Sequence, residues 1–145
     1  MKKWIATLAC FCLLSVSAQA QKYVPTPENL QNRKEFAESR LGIFIHWGLY
    51  STFAQGEWYM NNASVDAREY AKAMNGFYPH RFDARQWVSA FKAAGAKYIC
   101  FTTRHHEGFS MWDTRWSDYN IMNTPYGKDI VRQLAEECHR QGIKL

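Results

Sequence analysis

DARQWVSAFKAAGAKYICFT, residues 83–102, decides the fold. Asp83 is a helix-capping residue type, and Trp87, Val88, Phe91 and Ala94 recur behind it at helical spacing. Gly95 then stops the helix, and Ala96 to Thr102 read as a continuous apolar strand. The same joint recurs on both sides. Upstream, the polar, helix-compatible stretch Pro27 to Arg40, with Leu30, Phe36 and Ala37 as its apolar positions, runs into the strand Leu41 to Ile45. Downstream, Ile130, Val131, Leu134 and Cys138 make a helical stripe, Gly142 stops it, and Ile143-Lys144-Leu145 opens a third strand. Helix alternating with unbroken apolar strand predicts a parallel sheet covered by helices, because both faces of such strands must be buried.

The connections are unequal. Turns leading into the strands are short, whereas the loops after the first and second strands, Trp47 to about Val65 and Thr103 to about Gly127, are long and rich in His, Trp, Tyr, Glu and Asn. A short helical stretch from Asp66 to Met74, broken by Gly76 and Pro79, follows the first of them. Ligands of α/β folds bind at the carboxyl ends of the strands, so the long loops predict a site on that face. The first strand is not followed by a glycine-rich phosphate fingerprint, which argues against nucleotide binding. The expected architecture is therefore an α/β chain of the (β/α)8-type barrel, with the first three or so β/α units present. Such a barrel needs about 250 residues, so residues 21–145 are expected to be its amino-terminal part and the chain to continue past Leu145.

Residues 1–20 are set apart. Lys2 and Lys3 precede an apolar run from Trp4 to Val16 and then Ala18-Gln19-Ala20, the pattern of a secretory signal peptide cleaved after Ala20. It predicts export to the periplasm or the extracellular space. The run is shorter than the roughly 20 residues a membrane helix needs, so no membrane span is expected. The formal net charge is +5, two charges of which belong to Lys2 and Lys3, and the remaining basic residues form no cluster, so nucleic acid is not an expected partner. Of the four cysteines, Cys100 and Cys138 lie outside the signal segment and are expected to be buried free thiols rather than a disulfide.

Chemistry gathers at the strand ends. His46 follows the first strand directly, and His105 and His106 follow the second, so the barrel topology makes them converge. A metal site is the first thought, but neighbours on a strand point to opposite faces, and no zinc-like spacing of one-face histidines occurs. Glu57-Trp58-Tyr59 and Met111-Trp112 add flat apolar faces, while Glu57, Asn61 and Asn62 add hydrogen-bonding groups. Aromatic faces for C–H surfaces and a few polar groups for hydroxyls suit a sugar pocket. Trp87 and Trp116, by contrast, are expected to cap the barrel. Glu57 and Glu107 are the tempting carboxylate pair for glycoside hydrolysis, but nothing adjacent to Glu107 in sequence tunes it for acid/base work.

The segments GIFIHWGLYS, GEWYMNN and TRHHEGFSMWD resemble, in order and spacing, three motifs of the retaining α-L-fucosidases, and the resemblance runs from about Arg33 to Leu145. It implies a (β/α) barrel and hydrolysis of terminal α-L-fucose from glycans with retention of configuration. No cofactor or metal is implied, a fucosylated glycan is the implied partner, and the oligomeric state is left open. It also implies that His46, Glu57, Trp58, His105 and His106 hold the fucose, and that the nucleophilic aspartate and the acid/base glutamate lie beyond Leu145. A non-catalytic carbohydrate-binding protein on the same scaffold is the alternative, and a metal-dependent hydrolase a more distant one.

Overall fold

The computed structural model describes residues 23–145, so the expected signal segment and its cleavage after Ala20 lie outside the described residues. Helix α1 spans Pro27–Glu38 and has no buried residue. Its expected apolar positions Leu30 and Phe36 are in fact exposed, because the helix is too polar to form a continuous apolar stripe. The chain packs as two units divided after Glu35. In the first, the Thr26 hydroxyl accepts from the Asn29 N–H at 3.1 Å and so starts α1.

The second unit, residues 36–145, holds the parallel sheet and its covering helices. Strands β1 (Gly42–Ile45) and β2 (Tyr98–Phe101) pair in parallel, Gly42 opposite Tyr98 and Ile45 opposite Phe101. Beyond β2, the expected third strand is realised as one parallel bridge from Tyr98 to Lys144, where the Ile99 N–H donates to the Lys144 carbonyl at 2.8 Å. The long loop after β1 is not structureless. It contains a 3-10 turn, Leu49–Phe53, and the single-turn helix α2, Tyr59–Asn62. Helix α3 (Ala67–Ala71) follows, capped by Asp66, and passes into a 3-10 turn at Lys72–Gly76.

Helices α4 (Ala84–Ala93) and α5 (Ile130–Gln141) begin where their caps dictate. Asp83 accepts from the Gln86 N–H at 3.0 Å, and Asp129 from the Arg132 N–H at 2.7 Å. At the other end of α5, Gly142 takes a left-handed φ of +71°, and the Ile143 N–H returns to the Cys138 carbonyl at 3.0 Å. This closes the helix just before the chain turns back to the sheet. The buried residues of α4 are Ala84 and Val88, and those of α5 are Ile130, Leu134 and Cys138, one turn apart. With Ile99, Leu49, Phe109 and Met111 they form the core, and each large aliphatic side chain so buried contributes about 1.5 to 3 kcal/mol.

Three expectations are corrected. Cys138 is buried but Cys100 is exposed, because period-2 alternation turns it, with its partner Phe44, to the sheet face away from Ile99 and the helices. Trp116 is 86 % exposed and caps nothing, lying instead beside the Arg115 guanidinium. Met111 is fully buried rather than offered to a ligand, since its backbone N–H ties back to the Thr103 carbonyl at 3.0 Å and draws it under the loop.

Candidate functional site

The site begins where two strand ends are latched together. Just past β2, the Thr102 N–H and hydroxyl both donate to the Ile45 carbonyl, each at 3.1 Å, and the same hydroxyl accepts from the Trp47 N–H at 3.3 Å. Tyr50, buried in the 3-10 turn, brings its hydroxyl within 3.2 Å of the Thr102 hydroxyl and 3.4 Å of His46 Nδ1. One threonine and one tyrosine thus fix where His46 emerges relative to the second strand.

His105 and His106 leave the pleat altogether. They sit in a turn in which the Gly108 N–H donates to the His105 carbonyl at 3.0 Å and Arg104 Nε donates to the Gly108 carbonyl at 2.9 Å. Gly108 has φ +82°, a conformation that side-chain-bearing residues rarely adopt. In a turn, neighbouring side chains need not oppose one another as they do on a strand, so these two histidines come together. Their rings lie 4.4 Å apart, edge to face. His46 meets His105 at 4.9 Å, Trp58 meets His106 at 4.0 Å, and Trp58 meets His105 edge-on at 5.9 Å. Four of the five residues expected in the pocket therefore form one contiguous cluster, with His46, Trp58 and His106 exposed and His105 half-buried. Glu57, half-buried, completes the set by charge: its carboxylate acts on both Tyr50 and His105.

Electrostatics keep the cluster neutral at its centre. Burial lowers the pKa of His105 below the ordinary histidine value, the neighbouring His106 and His46 push the same way, and Glu57 opposes them. A neutral imidazole carries one donor and one acceptor, which suits a hydroxyl group that is both. Burial also raises Tyr50, against its bond to Thr102. Glu107 lies behind His105 with its side chain only 2 % exposed, and burial raises its carboxyl above the usual range. It is thus withdrawn from the open face and cannot meet a substrate there as the partner of Glu57. Among the described residues, no group of three or more His, Cys, Asp or Glu side chains is arranged to hold a metal ion.

Sequence reasoning did not single out Tyr50 or Thr102. Tyr50 stands only four residues after His46, within the motif that carries it, and the structure places it in the 3-10 turn Leu49–Phe53. Thr102 carries no such signal, because its role appears only once the two strands are paired. Along the edge of β1 that pairs with no other strand among the described residues, Ile43, Ile45, Trp87 and Phe91 line an open apolar groove of about 580 Å³ that reaches His46.

Residues 10–145 match the family model described as Alpha-L-fucosidase. The human plasma alpha-L-fucosidase is 34 % identical over 137 residues, covering 79 % of this chain and 29 % of its own length. Alpha-L-fucosidase isoenzyme 1 from Paenibacillus thiaminolyticus superposes with a TM-score of 0.77 at 41 % identity, over 79 % of this chain and 27 % of that one. An alpha-L-fucosidase from Bacteroides thetaiotaomicron, solved as a trapped covalent intermediate with 2-fluoro-fucosyl fluoride, superposes with a TM-score of 0.75 at 36 % identity, over 87 % and 30 % of the two chains. The chain spans about a third of the length of these relatives.

Proposed function

Since the chain belongs to the alpha-L-fucosidase family, we propose that it forms the fucose-holding wall of an exported enzyme that hydrolyses terminal α-L-fucose from glycans with retention of configuration. The observation that carries this reading is the contiguous cluster of His46, His105, His106 and Trp58 at the ends of two parallel strands. Trp58 offers an apolar face for the sugar ring, and the imidazoles and Glu57 offer partners for its hydroxyls. Retention is supported by the covalent intermediate trapped in the Bacteroides relative, since a glycosyl-enzyme is the hallmark of a retaining glycosidase. Such a mechanism needs two carboxyl groups about 5 Å apart. The burial of Glu107 argues against its being one of them, so we assign the nucleophile and the acid/base to residues outside the described segment.

The architecture that suits this role is a (β/α) barrel, of which residues 21–145 form the amino-terminal part. A closed barrel would cover the apolar groove and the free edge of β1, and would supply the far wall of the pocket. Residues 1–20 act in this reading as the export signal.

The test is made with the full-length protein and an aryl α-L-fucoside, with and without a chelator. Turnover is expected in both. Substituting His46, His105 or His106 by Ala should leave the circular dichroism unchanged and cost on the order of 2 kcal/mol in transition-state binding, because a sugar hydroxyl loses its partner. Unaltered kcat/KM in all three variants would remove these residues from the pocket. Specific fucose binding without turnover would favour a carbohydrate-binding protein instead.

A further inference from the structure

The Glu107 side chain has no place in the sugar-binding cluster, yet it is among the most deeply buried charged groups near it. Its Oε2 atom makes no hydrogen bond, and neither does His105 Nδ1, which lies 3.6 Å away. Both atoms are sealed from solvent, and they are complementary in kind, a ring nitrogen that can donate and a carboxylate oxygen that can accept. The separation is a few tenths of an ångström too long for a hydrogen bond, a gap that a small side-chain rotation closes. Leaving both unpaired would cost the desolvation of each, whereas pairing them offsets it.

We propose that Glu107 is the positioning residue of His105: its carboxylate accepts a hydrogen bond from Nδ1–H and thereby leaves Nε2 as the acceptor presented to a sugar hydroxyl. A neutral imidazole has one protonated nitrogen, and the partner of one nitrogen decides the state of the other. His105 is held neutral by burial beside His46 and His106, so the choice of tautomer is the remaining freedom. The buried hydroxyls of Tyr70 and Tyr119 lack hydrogen-bond partners and are acted on by the charge of Glu107, as is Tyr50. Glu57 favours the charged form of His105, and an ionised Glu107 would act in the same sense while also selecting the nitrogen that carries the proton. The hydroxyl that meets His105 must then donate, which specifies the direction of that hydrogen bond rather than only its presence.

The proposal rests on the reading that His105 faces the sugar, and its test separates the two. In the full-length protein, ¹⁵N NMR of labelled histidines, with His105 assigned by its loss in His105→Asn, should show Nδ1 protonated and Nε2 bare at neutral pH. Glu107→Leu should move the proton to Nε2 and lower kcat/KM for an aryl fucoside about tenfold or more. Glu107→Gln, which keeps an acceptor oxygen, should restore the Nδ1–H tautomer and part of the rate. Wild-type protein with its proton on Nε2, or Glu107→Leu with an unmoved tautomer and an unmoved rate, overturns the proposal, and the first of these measurements does not depend on any variant folding. If the tautomer is as stated but His105→Ala costs no activity, the pairing stands and the sugar contact fails.

Discussion

Asp129 does two jobs, and removing it should cost accordingly. One carboxylate oxygen caps α5 through the Arg132 N–H at 2.7 Å, and the other accepts from the Asp113 N–H at 3.0 Å, sixteen residues back in the loop that follows the histidine turn. Asp83 supplies the comparison, because it caps α4 with one bond of 3.0 Å to the Gln86 N–H. Loss of a cap costs about 1 kcal/mol. Loss of a hydrogen bond to a carboxylate adds about 1 kcal/mol where, as here, the pair is partly solvated. Asp83→Ala should therefore destabilise by about 1 kcal/mol and Asp129→Ala by about 2 kcal/mol. Asp129→Asn should fall between wild type and Asp129→Ala, because asparagine still caps but offers only one oxygen. The assay is denaturant unfolding at constant m, read as the shift in midpoint. An Asp129→Ala no less stable than Asp83→Ala, or an Asn variant indistinguishable from Ala, would refute the two-bond account.

Other outcomes follow from the same geometry. A Cβ at Gly42 would meet the Tyr98 ring at 2.2 to 2.5 Å, so Gly42→Ala should destabilise by about 1 to 3 kcal/mol, and less in a Tyr98→Ala background. Thermal unfolding of the single and double variants measures the coupling. Thr102→Val should cost about 1 to 3 kcal/mol by stranding the Trp47 N–H and leaving the Tyr50 hydroxyl with His46 alone, and Thr102→Ser should recover most of the melting temperature. His105 has a lowered folded pKa, so the unfolded chain binds more protons between that value and 6.5. Stability should then rise with pH across this window and fall as pH drops through it, and His105→Gln should flatten that slope.

The features legible in the sequence are those written in local chemistry. Asp83, Gly95 and Gly142 mark ends of α4 and α5 because caps and left-handed stops act within one turn of chain, although the Asp129 cap was not singled out. The histidine cluster was legible for a different reason, since strand ends in an α/β topology point to one face. What escaped was set by distant partners. Cys100 reads as core because its neighbours are apolar, but its side of the sheet is decided by register with β1. Met111 reads as a surface face beside Trp112 until the loop folds over it. The histidine pair reads as divergent so long as a strand is assumed, and Gly108, visible in the sequence, was the hint of a turn.

The latch at Thr102 reaches across 57 residues to the Ile45 carbonyl. Closing a loop of that length costs about 3 to 4 kcal/mol of chain entropy before any contact repays it, whereas α4 and α5 close within themselves. Helices can therefore form as soon as they are made, while the two strand ends can meet only after the second has been synthesised. His46 leaves the ribosome long before His105 exists to face it, and its strand must wait with Phe44 uncovered. The histidine cluster thus belongs to the non-local part of folding, which cannot begin at the strand ends before both have been made.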